Sequence, residues 1–152
     1  MGDAVKTSWK RHSDRLRNEA DTVGTANANR ILIVDPHINA SNLLETRLRT
    51  AGYSMTRVAY SAHAALAIAE EFEPSVVLIE LNLFDMSGYE LARRLRERAP
   101  GRELRLMAMV SSHEQGGPEL IHERGFERYL MNPIVDFGFL NDAQRTQRPT
   151  HS

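Results

Sequence analysis

Cysteine is absent from the chain, and so are long apolar runs. Without cysteine the protein has no disulfide, no thiol nucleophile and no thiolate metal ligand. No apolar run approaches the roughly 20 residues that are needed to span a bilayer. The first twenty residues are too polar for a secretory signal. We therefore expect a cytoplasmic protein with no membrane partner.

An excess of charge of one sign is also missing. The chain has 19 basic and 20 acidic residues and a net charge of −1, so we expect no general attraction to nucleic acid. Hydrophobic residues make up 41% of the 152 residues and charged residues 26%, an ordinary balance for a globular protein. This length and composition favour one domain with a true core.

Two short apolar runs that end in a carboxylate dominate the middle of the chain. They are Ile31 to Asp35 and Val76 to Glu80. Such runs are typical of strands that are buried on both faces. Helical patterns alternate with them, which favours βαβ units and a parallel sheet. The predicted strands are 30–35, 54–59, 76–80, 104–110 and 128–131, and the predicted helices are 39–51, 62–72, 88–97 and 118–124.

The two ends of the chain differ from this core. Residues 1–29 contain one helical stripe that includes Trp9 and Leu16, followed by a small, polar linker. We interpret residues 1–29 as an extension, either a fraying tail or an amphipathic helix that docks on its own domain or on a partner. The predicted domain covers 30–141 with a short or degenerate last helix, and 142–152 are predicted to be a disordered tail.

The carboxyl ends of parallel strands meet along one rim of the sheet, where open α/β folds build their sites. In this sequence the residues at those ends are Asp35, Glu80, Val110 with Ser111, and Asn132. We expect them to lie close together.

These segments resemble the receiver domain of two-component response regulators. The resemblance rests on residues 31–35 (Ile-Leu-Ile-Val-Asp), 81–90 (Leu-Asn-Leu-Phe-Asp-Met-Ser-Gly-Tyr-Glu), 125–130 (Gly-Phe-Glu-Arg-Tyr-Leu) and the Asn132-Pro133 pair. It covers about 30–136. It implies a flavodoxin-like, doubly wound α/β fold with a parallel five-stranded sheet of order 2-1-3-4-5.

The resemblance also implies a set of five chemical groups, most of which this sequence lacks. Family members use a phosphoacceptor aspartate, two acids that hold Mg²⁺, a Thr or Ser, and a Lys. The corresponding residues are Glu80, Asp35 with Pro36, Val110 and Asn132. Phosphoryl transfer depends on neutralising charge on the transferred oxygens, and these substitutions remove much of that capacity. We therefore expect a pseudo-receiver without catalysis, with no cofactor and with Mg²⁺ binding weak or lost.

Glu80 has two interpretations. Its carboxylate either fills part of the phosphoryl space and biases the domain towards an active-like state, or is a solvated carboxylate at the rim. We favour the second, because the switch aromatic Tyr129 is present but its hydroxyl partner is replaced by Val110.

A metal site and the loop residue Asp85 are two other candidates for a functional site. A metal site formed by Asp35, His37, Glu80 and His113 is chemically reasonable, but the spacing carries no known metal signature, so we expect no metal. Asp85 lies in the loop after the third strand, at a position that is commonly acidic in the family without being the acceptor.

The sequence thus predicts a stand-alone signalling module that acts through protein contacts. The expected partner is a histidine kinase or another signalling protein, with a homodimer as a further arrangement. Trp9, Leu16 and Tyr129 are the candidate contact residues. Two alternatives stay open: a phosphorylatable receiver with an atypical site, and a hydrolase at the rim.

Overall fold

The computed structural model describes residues 29–110 and 117–141, with only the backbone of 117 and 118. Five parallel strands form one sheet in the order β2-β1-β3-β4-β5, as predicted. In chain order the elements are β1 (Ile31–Val34), α1 (Ile38–Thr50), β2 (Thr56–Ala59), α2 (Ala62–Phe72), β3 (Val76–Glu80), α3 (Gly88–Glu97), β4 (Arg105–Val110), α4 (Gly117–Glu123) and β5 (Arg128–Met131). The predicted bounds differ from these by two residues at most.

The sheet is buried on both faces, because helices cover each side. Alternate residues of a strand point to opposite faces. On β1, Leu32 and Val34 pack into the core under α2 and α3, whereas Ile31 and Ile33 pack into the core under α1. This two-sided burial explains why the central strands are continuous apolar runs.

Local signals set the start and end of the helices. The Ser61 hydroxyl accepts a hydrogen bond from the Ala64 backbone N–H at 3.1 Å, and Ser87 does the same for Glu90 at the start of α3. Gly52 follows α1 with φ of 107° and Gly125 follows α4 with φ of 97°, as left-handed caps require.

The segment after β5 packs back onto the α1 face of the sheet. Ile134, Phe139 and Leu140 are buried there. The described residues become helical again at 139–141, where the sequence predicts a weak last helix. In the described parts of the chain, no helix is both long and apolar enough to cross a membrane.

Candidate functional site: a carboxylate cavity at the carboxyl end of the sheet

A cavity of about 400 Å³ opens at the carboxyl ends of β1, β3 and β5. Asp35, Glu80 and Asn132 line it, as the sequence predicts for the rim. The register of β1 against β3 pairs Val34 with Ile79, so Asp35 and Glu80 leave neighbouring strands at the same level. The topology therefore brings two carboxylates together although they lie 45 positions apart in the sequence.

Asp35 is buried and organises the turn into α1. It is 4% exposed, and its backbone N–H donates to the carbonyl of Ala59 on β2 at 3.0 Å. Its Oδ1 accepts from the backbone N–H of His37 at 2.9 Å and lies 2.8 Å from Nδ1 of the same residue. The imidazole is otherwise open to solvent, with 69% of the side chain exposed. The turn thus places an accessible imidazole on the edge of the cavity.

Glu80 is also buried, at 4% exposure. Its Oε2 accepts from the backbone N–H of Asn82 at 3.2 Å. The expectation of a solvated carboxylate is therefore wrong. The error arises because β3 is the central strand of the sheet, and the backbone of the loop that follows it binds the carboxylate.

The three remaining rim positions supply none of the phosphoryl-binding groups that the resemblance implies. Pro36 has no acidic side chain, and Val110 is buried at 2% exposure with no side-chain hydroxyl. Asn132 has a neutral amide, and its backbone N–H donates to the carbonyl of Val110 at 2.7 Å. These positions lie where the sequence predicts them.

The donor set at this rim fits Mg²⁺ poorly. Mg²⁺ prefers an octahedron of hard oxygen ligands. The ligating groups that approach one another here are the carboxylates of Asp35 and Glu80 and the imidazole of His37. The second acid that would complete an oxygen set is replaced by Pro36. Reduced Mg²⁺ binding remains a proposal that this donor set supports.

Asp85 has a structural partner that the sequence did not reveal. Its carboxylate accepts hydrogen bonds from the backbone N–H groups of Ala62 and His63 at 3.0 and 2.9 Å, and it lies 2.6 Å from Nδ1 of His63. Ser61 already caps the same end of α2 from the residue before the helix. The second cap comes from Asp85, 22 residues beyond His63, so no local pattern reveals it.

The edge of the sheet at β5 exposes apolar side chains. Tyr129 is 41% exposed and Met131 is 53% exposed, and both point to the same side of the strand. Leu130 points to the other side and packs into the core under α1. Val135, just beyond the strand, is 72% exposed. Ser111, His113, Trp9 and Leu16 lie outside the described residues, so their predicted roles stay predictions.

Comparison with known proteins agrees with this architecture. The family model described as the response regulator receiver domain matches residues 31–136. The chain therefore belongs to the response regulator receiver domain family. Members of this family are signal-transduction modules, and response regulators interact with other signalling proteins such as kinases.

Individual relatives match about two thirds of the chain. The polar-differentiation response regulator DivK of Brucella ovis is 27% identical over 104 residues, which are 68% of this chain and 84% of DivK. An uncharacterized 14.6 kDa protein of Leptolyngbya boryana is 30% identical over 104 residues, covering 68% of this chain and 79% of that protein.

Solved structures confirm the fold. A CheY-like receiver domain protein of Methanospirillum hungatei superposes with a TM-score of 0.65 at 24% identity, over 78% of this chain and 92% of the other. The chemotaxis protein CheY4 of Vibrio cholerae superposes with a TM-score of 0.65 at 22% identity, over 76% of this chain and 95% of the other.

Proposed function

We propose that this chain is a pseudo-receiver, which passes a signal through protein contacts without cycling an aspartyl phosphate. The observation that carries the proposal is the composition of the rim cavity. Glu80, Asp35 and Asn132 line that cavity. The resemblance to the family aligns Pro36, Val110 and Asn132 with the second acid, the hydroxyl and the lysine that bind metal and phosphoryl oxygens. The protein is then a signalling module and not an enzyme.

The geometry of Glu80 supports the proposed loss of phosphoryl transfer. A glutamate extends its carboxylate by one further C–C bond, about 1.5 Å, compared with an aspartate. Misplacing a reacting group by roughly 1 Å can cost on the order of 100-fold in rate. The buried side chain is also engaged with the loop through the Asn82 backbone N–H. It therefore forms part of the rim.

The electrostatics support the same conclusion. A phosphoryl group carries negative charge that the site must neutralise as the bond forms. The described cavity lining has two buried carboxylates, and Asn132 contributes no positive charge. Arg47 is the one guanidinium of that lining, and it lies on the exposed surface of α1.

The exposed edge at β5 is the surface that we propose for a partner. Tyr129, Met131 and Val135 expose apolar area next to the rim, and exposed apolar patches mark interaction sites. The partner would be a histidine kinase or another signalling protein, or a second copy of this chain. The predicted stripe with Trp9 and Leu16 would add a further contact.

A phosphorylation assay tests the proposal. The full chain is incubated with acetyl phosphate and Mg²⁺, and its intact mass is measured, with a CheY-like receiver as the positive control for the reagent. We expect no phosphoryl adduct on the wild type.

A variant that restores the missing groups gives the matched comparison: Pro36→Asp, Glu80→Asp, Val110→Thr and Asn132→Lys combined. It should gain the adduct, provided that circular dichroism shows the native fold. An adduct at Glu80 or Asp85 of the wild type would contradict the proposal and favour an atypical phosphorylatable receiver.

A further inference from the structure

Asp35, His37 and Glu80 form a cluster at the mouth of the rim cavity. One ligand atom from each residue lies within 4.8 Å of the others, and no second group of this kind occurs in residues 29–110 and 117–141. Two of the three side chains are buried, and the third is exposed. A cation could therefore approach from solvent on the imidazole side and meet two carboxylates behind it.

The fold holds two of these groups in place before any ligand arrives. Asp35 and Glu80 follow paired positions of β1 and β3, so the sheet fixes their backbone separation. The His37 ring is positioned by its 2.8 Å contact with Asp35 and by the backbone hydrogen bond of the same turn. A preorganised set binds a ligand with a smaller loss of conformational entropy.

One of the distances within the cluster is close to that of a metal centre. Ligand atoms about 2.1 Å from a cation lie roughly 3 Å apart in an octahedron and 3.4 Å apart in a tetrahedron. The Nδ1 to Oδ1 distance of His37 and Asp35 is already 2.8 Å. A movement of about 1 to 2 Å, within the reach of an exposed imidazole and a flexible glutamate, would close the remaining gap.

We propose that this cluster binds a divalent transition-metal ion such as Zn²⁺ in preference to Mg²⁺. Imidazole is a good ligand for Zn²⁺ and its neighbours in the transition series, whereas Mg²⁺ selects oxygen. Two carboxylates and one imidazole give three protein ligands and a site with net charge close to zero once the cation is bound. Water would complete the coordination.

Arg47 lines the same cavity, and its guanidinium would compete with a metal ion for the two carboxylates. Its side chain starts from the exposed surface of α1, so holding it against the cluster would cost side-chain entropy. A divalent ion carries twice its charge and binds three groups at once. Removing this arginine should therefore leave metal affinity unchanged or raise it.

The test titrates the chelator-treated full chain with Co²⁺, whose visible absorption reports its ligands, and then displaces Co²⁺ with Zn²⁺ or Mg²⁺. We expect one Co²⁺ per chain, displacement by an equivalent of Zn²⁺, and no displacement by a large excess of Mg²⁺. His37→Gln should weaken Co²⁺ binding by 10-fold or more, and because this residue is exposed the variant should fold. Glu80→Gln should weaken it as well.

His63→Gln is the matched control. His63 has the same 69% side-chain exposure and a similar contact with an aspartate, Asp85, but no third ligand joins that pair among the described residues. It should bind Co²⁺ as the wild type does. Equal affinity in the wild type and His37→Gln, equal losses in His37→Gln and His63→Gln, or displacement by stoichiometric Mg²⁺ would each overturn the proposal. None of these results depends on whether the chain accepts a phosphoryl group.

Discussion

At the scale of single residues, Asp85 shows how a loop side chain can acquire a structural role. Burial alone would raise the pKa of the Asp85 carboxyl. The hydrogen bonds from the His63 and Ala62 backbone N–H groups, and the contact with the His63 ring, outweigh that effect and hold the pKa well below its ordinary value of 3.8. The carboxylate also lies at the N-terminus of α2, where the helix dipole favours negative charge. Folding therefore stabilises the ionised form.

This coupling predicts a pH-dependent cost for Asp85→Asn. Because the folded pKa is depressed, the stabilisation is fully present above the unfolded pKa near 4 and is lost as the pH falls through the folded pKa. We expect a loss of about 0.5 to 1 kcal/mol in the free energy of unfolding at pH 7, because the amide keeps one acceptor oxygen but loses the charge that the helix N-terminus favours. The difference between variant and wild type should shrink steadily below pH 4.

Urea unfolding at pH 7 and at pH 3 measures both quantities. Ser61→Ala is the control, since it removes a neutral cap from the same helix end and its cost should not change with pH in this way. If the loss in the free energy of unfolding for Asp85→Asn stays constant down to pH 3, the negative charge of Asp85 is not the source of the stabilisation.

At the scale of elements, the junction between β3 and α3 is held by a close approach of backbones. The Gly88 N–H donates to the carbonyl of Leu81 at 2.9 Å. A Cβ on Gly88 would lie 2.8 Å from Cα of Leu81 and 3.0 Å from the carbonyl oxygen of Glu80. Both neighbours are main-chain atoms and cannot rotate away. Gly88 is therefore required for the tight loop that folds over the rim.

Gly88→Ala should lower the free energy of unfolding by about 1 to 3 kcal/mol, as overpacking of a well-filled core does. The backbone displacement should extend to the rim. The amides of 80–82 should therefore exchange hydrogen faster than in the wild type. Gly101→Ala provides the comparison, because a Cβ there meets nothing within 4 Å and only the positive φ of 74° costs energy. That variant should lose about 1 kcal/mol without any change at the rim. Unchanged exchange at 80–82 in Gly88→Ala would argue against the close-approach explanation.

The elements themselves were largely predictable from the sequence. Buried apolar runs marked the central strands, and helical patterns between them marked the helices, because both signals are local. Contacts between distant residues were not predictable in this way. The second cap on α2 from Asp85 and the burial of Glu80 depend on how the loop after β3 folds across neighbouring elements, and no spacing in the sequence encodes that path.

At the scale of the whole molecule, Arg105 joins three separate parts of the chain. It is the first residue of β4 and only 4% exposed. Its guanidinium donates to the carbonyls of Phe139 and Leu140, both at 3.1 Å, and to the Glu127 carboxylate at 3.3 Å. One buried cation thus fixes the end of the sheet and the returning C-terminal segment. This role was not predictable from the sequence, since a charged residue at the start of a strand is usually exposed.

Arg105→Met keeps an unbranched side chain as far as the Nε position and removes all three donors. We expect a loss of about 3 kcal/mol in the free energy of unfolding, because buried carbonyls lose their donors and a partly buried carboxylate loses its counter-ion. Arg102→Met is the matched control: Arg102 is exposed and donates to the carbonyl of Pro74 at 3.2 Å, so its loss should cost well under 1 kcal/mol.

Hydrogen exchange locates the effect of Arg105→Met within the molecule. The amides of 134–141 should exchange much faster in Arg105→Met, while those of β1 and β3 change only with global stability. This segment covers one face of the sheet through Ile134, Phe139 and Leu140, so its release would expose the apolar core beneath α1. Protection of 134–141 equal to that of the wild type would show that apolar packing alone holds the segment, and that Arg105 contributes only to the strand where it lies.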